Sequence, residues 1–224
     1  MIGYSDASLL LHALYKKSGV RGIMGPMILP QFAEYPEMQK FSLNSFFEVV
    51  KNLGKNKVYE LPKAEEYTEE MLLWDQEDIK SREMKKNSGW EIIFSGKASG
   101  RLVPTNLNTL CKLIGTPYMP DLEGAILFLE DDGDESAATI QRMLQHLKQA
   151  GQLDWIKGIV FGRFQEKSEI TNDDIKFLLG NVFNEVSFPV ISNVDFGHTD
   201  PMITLPIGNS VSISTQLSQI KITL

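Results

Sequence analysis

Met1-Ile2-Gly3-Tyr4-Ser5-Asp6-Ala7-Ser8-Leu9-Leu10-Leu11-His12 opens the chain. Ser5 stands between Gly3 and Ala7 and directly before an apolar run that reads as a helix. Small residues on both sides permit a sharp strand-to-helix turn that exposes the central side chain. The helix behind it aims backbone N–H groups at developing negative charge. Only Met1 and Ile2 precede the turn, so either the strand leading into it is very short or the chain begins in the middle of a longer unit.

Outward from this turn, residues 7–18 read as a helix with Leu9, Leu10, Leu11, Ala13, Leu14 and Tyr15 on an apolar face, stopped at Gly19. A short extended piece follows from Val20 to Met27, then loop through residues 28–41. Ser42 looks like the N-cap of a helix ending near Leu53, with Phe46, Phe47, Val49, Val50 and Leu53 as its buried side. Composition shifts at Lys55: residues 55–88 are rich in Lys and Glu and carry Trp74. A strand is expected at 89–94, followed by a Gly/Ser-rich stretch at 95–100, and a short helix from Leu107 to Ile114.

Ala125-Ile126-Leu127-Phe128-Leu129-Glu130 is the clearest strand, and its continuous apolar run predicts burial on both faces. It ends in an acidic cluster. A helix at 136–150, a strand at 156–164, a helix begun by Thr171-Asn172-Asp173-Asp174 and a strand at 189–194 follow. Ile203–Ile207 and Ser210–Thr215 are expected to form an antiparallel pair, followed by Gln219–Leu224. The order predicts an α/β protein: an N-terminal α/β piece at 1–54, a linker or excursion at 55–100, and a mixed α+β domain at 101–224, rich in β at its end.

Composition narrows the functions. A net charge of −7 with no basic cluster argues against nucleic acid. The single cysteine, Cys111, excludes an internal disulfide framework, suits a reducing cytoplasm, and reads as inert core. No apolar run approaches the ~18–20 residues of a membrane span, and no signal peptide is read at the start. Phosphate-binding glycine loops and zinc-spaced His/Cys sets are missing, so no metal or cofactor is expected.

Three polar residues fall at element ends, where open α/β sheets place their chemistry: Ser5 before a helix, Glu130 after a strand, His198 after a strand. A serine hydroxyl needs a base to take its proton, a histidine suits that task, and a carboxylate on the far ring nitrogen fixes the tautomer. Of three histidines, His12 lies about two turns past Ser5 and reads as structural, and His146 reads as a solvated helix residue. His198 follows an apolar strand in a loop, the common location for a catalytic base. The alternative for Glu130 to Glu135 is a solvated acidic turn.

Together the motifs resemble the LD-carboxypeptidase family, which includes muramoyl-tetrapeptide carboxypeptidases and microcin C immunity peptidases. The resemblance rests on Gly3-Tyr4-Ser5-Asp6, Gly25-Pro26-Met27, Asn106-Leu107, Gly115-Thr116-Pro117, Gly124 to Asp131, Arg142-Met143-Leu144, Gly158 to Gly162, Phe196-Gly197-His198 and Leu205 to Gly208. It implies a serine peptidase with Ser5 as nucleophile, His198 as general base and Glu130 orienting it. The Asp6 backbone N–H would be one oxyanion donor, and Asn106 a substrate contact. It further implies a flavodoxin-like N-terminal portion. This chain is expected to lack much of it, including the source of a second oxyanion donor. The excursion at 55–100 resembles the longer form in the microcin-immunity branch, where an aromatic residue stacks on a nucleotide-like part of the substrate. Trp74 or Trp90 would serve, Trp90 reading rather as a half-buried anchor.

The resulting expectation is a cytoplasmic, cofactor-independent peptidase, homodimeric as members of the family commonly are. It would cleave a small peptide amide, either the LD bond of a muropeptide or a peptidyl-nucleotide. The alternatives are a truncated, inactive member acting through binding or dimerisation, and an unrelated esterase with the same triad.

Overall fold

The computed structural model describes residues 1–73, 75–77 and 79–224, so Trp74 lies outside the described residues. A short strand β1 (Ile2–Gly3) leads into helix α1 (Ala7–Ser18), then β2 (Ile23–Met24) and helix α2 (Lys40–Asn52). Strands β3 (Val58–Glu60), β4 (Glu66–Tyr67), β5 (Lys85–Lys86), β6 (Glu91–Phe94) and β7 (Lys97–Asn106) follow. After helix α3 (Leu107–Cys111) the chain alternates through β8 (Ala125–Glu130), α4 (Ala137–Gln149), β9 (Gly158–Gly162), α5 (Asn172–Phe183) and β10 (Val190–Val194). It closes with β11 (Leu205–Pro206), β12 (Ser210–Ser214) and β13 (Gln219–Thr223).

An eight-stranded sheet in the order β3-β13-β12-β7-β8-β9-β10-β6 forms the body. Its centre, β7 to β10, is parallel, and antiparallel strands extend both sides. The fold is therefore mixed α/β, as the order of elements predicts.

Side chains on a strand alternate faces. On β8, Ala125, Leu127 and Leu129 pack under α4 and α5, while Ile126 and Phe128 share the opposite core with Tyr4, Met24 and Leu205. The same parity sends Glu130 to the face that carries Ser5. The unbroken apolar run of β8 thus serves two cores, and the buried strand expected at 125–130 is present, with α4 capped by Ser136 and α5 by a Thr171–Asp174 capping box.

Several local expectations need correcting. The Gly/Ser-rich residues 97–100 belong to the ten-residue strand β7. Pairing with β12 over 97–101 overrides their weak propensity, and β8 pairs with the rest of the strand, 101–106. Pro104 is tolerated because β12 no longer pairs there. Ser42 is inside α2 and does not cap it. The buried edge of α2 is Ser42, Ser45 and Val49, whereas Phe47 and Val50 are exposed. The cause is the neighbouring backbone: Met202 N–H donates to Ser42 Oγ at 2.8 Å and Thr204 N–H to Ser45 Oγ at 2.9 Å. On α1 the buried residues are Ser8, Leu11 and His12, and Leu10 faces outward. The segment 28–41 includes a π-helical turn at Ile28–Phe32. Finally, β11 pairs with β2 in a small sheet with β1, not with β12. Alternation alone specifies a face and leaves the partner open.

Candidate active site

Ser5 lies at the turn between β1 and α1 with φ of 55°, the left-handed region that a side-chain-bearing residue rarely adopts. Such strain at a strand-to-helix turn holds the hydroxyl outward. Gly3 is required there: a β-carbon on it would lie 2.8 Å from Ala7 Cβ. The small residues flanking Ser5 are therefore in mutual contact across the turn. Among the described residues, the Asp6 N–H has no hydrogen-bond partner, while the N–H groups of Ala7, Ser8 and Leu9 bond back into the turn.

Glu130 ends β8 and is 1% exposed. Its Oε2 lies 2.6 Å from His198 Nδ1, and His198 Nε2 lies 3.1 Å from Ser5 Oγ. An ionised carboxylate only accepts hydrogen bonds. Nδ1 therefore carries the ring proton and donates it to Glu130, and Nε2 accepts from the Ser5 hydroxyl. Burial lowers the affinity of His198 for a second proton. The bond to Glu130 and the charges of Glu130, Asp132 and Asp131 outweigh it, and the pKa is raised overall. Element-end reasoning thus picked three residues that the fold brings into one chain of hydrogen bonds.

The loop carrying His198 is fixed at both ends. Asp195, buried, takes hydrogen bonds from Arg163 at 2.9 Å, Asn87 at 2.9 Å, Trp90 Nε1 at 3.0 Å and the Ala64 N–H at 3.3 Å. Trp90 is accordingly a half-buried anchor. Asp200 pairs with Arg82 at 2.8 Å and accepts from Gln31 at 3.3 Å. Tyr4 meets the His198 ring edge-on, centroids 5.3 Å apart. Sequence reasoning missed Asp195, Arg163, Arg82, Gln31 and Tyr4. Only the Asp195-Phe196-Gly197-His198 run offered a local signal.

Asn106 is nearly buried. It caps α3 by accepting from the Thr109 N–H at 2.9 Å, and its amide donates to Asp131 at 3.0 Å. Through these two bonds Asn106 positions the turn after β7. Burial, opposed by the bonds from Asn106 and from the Asn108 N–H, raises Asp131 to about 6. His12 is buried too, its Nε2 bonded to the Pro104 carbonyl at 3.0 Å, and burial lowers its pKa to about 4. Cys111 is half-buried and its thiol is pushed up to about 11 by burial, far from a reactive thiolate. His146 is exposed.

Residues 99–213 match the model of the LD-carboxypeptidase C-terminal domain. The chain belongs to the LD-carboxypeptidase family. It is similar to the microcin C7 self-immunity protein MccF of Escherichia coli, at 32% identity over 100% of this chain and 65% of that one. It is similar to the probable murein peptide carboxypeptidase of Bacillus subtilis (strain 168), at 28% identity over 95% of this chain and 59% of that one. The structure of MccF in complex with glutamyl sulfamoyl guanosine superposes with a TM-score of 0.86 and 30% identity, over 100% of this chain and 67% of the other. The chain thus spans about two thirds of the length of these relatives. Among the described residues, no helix is long and apolar enough to cross a membrane.

Proposed function

We propose that this member of a peptidase family is a serine-type LD-carboxypeptidase in which Ser5, His198 and Glu130 act as nucleophile, general base and orienting carboxylate. The observation that carries the reading is His198 within hydrogen-bonding distance of both Ser5 Oγ and Glu130 Oε2. Ser5 Oγ attacks the carbonyl carbon of a peptide amide as His198 Nε2 takes its proton. The Asp6 N–H donates to the oxyanion. His198 then gives the proton to the departing amine, leaving an acyl-serine. Water repeats the sequence in reverse order and frees the serine. Glu130 stabilises the imidazolium at each proton transfer.

Two amide classes suit the relatives' names: the LD bond of a muropeptide, and the amide-like linkage of a peptidyl- or aminoacyl-nucleotide. The family resemblance further supports a homodimer. The test is the kcat/KM of the purified protein on a tetrapeptide ending in an L–D bond and on glutamyl sulfamoyl guanosine. Hydrolysis of one or both is expected. Cleavage of neither, with simple esters turned over, would favour the esterase alternative.

A further inference from the structure

Gln31 is 3% exposed, lies in the π-helical turn after β2, and uses every polar group of its side-chain amide. Its Oε1 accepts from the Met27 N–H at 2.9 Å. A backbone N–H only donates, so that bond fixes which end of the amide is oxygen. The two N–H groups of Nε2 then have one acceptor each: the Tyr4 hydroxyl at 3.3 Å and Asp200 Oδ2 at 3.3 Å.

Those acceptors belong to the two segments that must meet for Ser5 to reach His198. Tyr4 directly precedes Ser5. Its carbonyl accepts the Ala7 N–H at 3.1 Å, which closes the turn holding Ser5 at a φ of 55°. Its ring meets the His198 ring edge-on. Asp200 comes two residues after His198 and is pinned without help from Gln31. Arg82 pairs with it at 2.8 Å, its carbonyl accepts the Thr68 N–H at 2.6 Å, and its N–H donates to the Thr68 carbonyl at 2.9 Å. The base loop thus has its own anchors. The nucleophile turn is strained, and strained backbone persists only where its surroundings over-determine it. Among the described residues, Gln31 is the one hydrogen-bond partner of the Tyr4 hydroxyl.

We infer that, on the hydrolytic reading above, Gln31 is a positioning residue: by joining the Tyr4 hydroxyl to the anchored Asp200, it sets how far Ser5 Oγ stands from His198 Nε2. An apolar side chain of the same length would fill the space and join nothing. A glutamate would keep the Met27 bond but set one carboxylate against another.

The test reads the His198 ring by nitrogen NMR of protein carrying labelled histidine, at a pH where the ring is neutral. The Nε2 signal reports the bond from Ser5, and the Nδ1 signal reports the bond to Glu130. Ser5→Ala should move Nε2. Gln31→Met and Tyr4→Phe should each move Nε2 in the same direction and leave Nδ1 in place. Combining them should add little, since both cut the same link. In each, kcat on the L–D tetrapeptide is expected to fall by roughly tenfold to a hundredfold with KM held. Nε2 unmoved in both variants while Ser5→Ala moves it overturns the inference. So does an equal displacement of Nδ1, or a change in KM with kcat intact. If Gln31→Met does not fold, Tyr4→Phe alone decides. Hydrolysis by Ser5→Ala at the wild-type rate removes the catalytic reading alone, and the ring signals still decide the link through Gln31. Nε2 unmoved by Ser5→Ala removes both.

Discussion

Gly197 lies against Glu130 so closely that a β-carbon at position 197 would stand 2.7 Å from Glu130 Cβ and 2.9 Å from Oε2. Its φ of 102° is also closed to most side chains. The glycine lets the His198 loop fold down onto the end of β8, which is how a buried carboxylate and a loop histidine come within 2.6 Å. Gly197→Ala should therefore move His198 off Glu130. A displacement of about 1 Å costs on the order of a hundredfold in rate. The check is kcat/KM beside a melting curve: a large kinetic loss in a protein that still unfolds cooperatively is expected.

The pH profile follows from His198. The base acts only when neutral, and its pKa is raised above the ordinary 6.5. Activity should rise with pH through a midpoint above 6.5 and then level off. Glu130→Gln removes the carboxylate that raises the pKa, so the midpoint moves down while the plateau falls by roughly 10⁴-fold. An unchanged midpoint would separate Glu130 from the base.

How much of this was readable from residues alone differs by element. The parity of β8 and the cap signals of α4 and α5 are local, so their sequence dictates them. Ser5, Glu130 and His198 were legible because each stands where a regular element stops. The start of strand β7 was not, because Lys97 to Gly100 is held by β12, a partner that propensity does not see. The edge of α2 was misjudged for the same reason: Ser42 and Ser45 serve backbone N–H groups about 160 residues away in sequence. Asp195 and Arg82 are ordinary charged residues until the fold joins them to distant partners.

Asp195 and Arg163 form an ion pair with side chains 1% and 6% exposed. Removing one partner strands the other charge in the interior, at a cost of about 3–5 kcal/mol. Asp195→Ala should lower the urea midpoint accordingly and loosen the backbone around Ala64 and at Asn87 to Trp90, which Asp195 holds through Ala64, Asn87 and Trp90. Hydrogen exchange resolved by peptide would show that loosening, and unchanged protection there would count against the anchoring role.

His12 predicts an acid-side loss of stability. Its folded pKa of about 4 lies below the ordinary 6.5, so the unfolded chain takes up a proton first as pH falls. The stability it supports is intact above about 6.5 and declines progressively down to about 4, by on the order of 3 kcal/mol across the window. His12→Gln keeps a donor for the Pro104 carbonyl and does not titrate. Urea unfolding at pH 7 and pH 4.5 should show a smaller difference for the variant than for the wild type.

Single-turnover hydrolysis of an L–D tetrapeptide by wild type, Ser5→Ala and His198→Gln, at equal enzyme excess, tests the central claim most directly. The account predicts a rate for each variant lower by at least about 10⁴-fold, with an acyl-enzyme mass on Ser5 trapped only in the wild type. Equal rates for wild type and Ser5→Ala would contradict it.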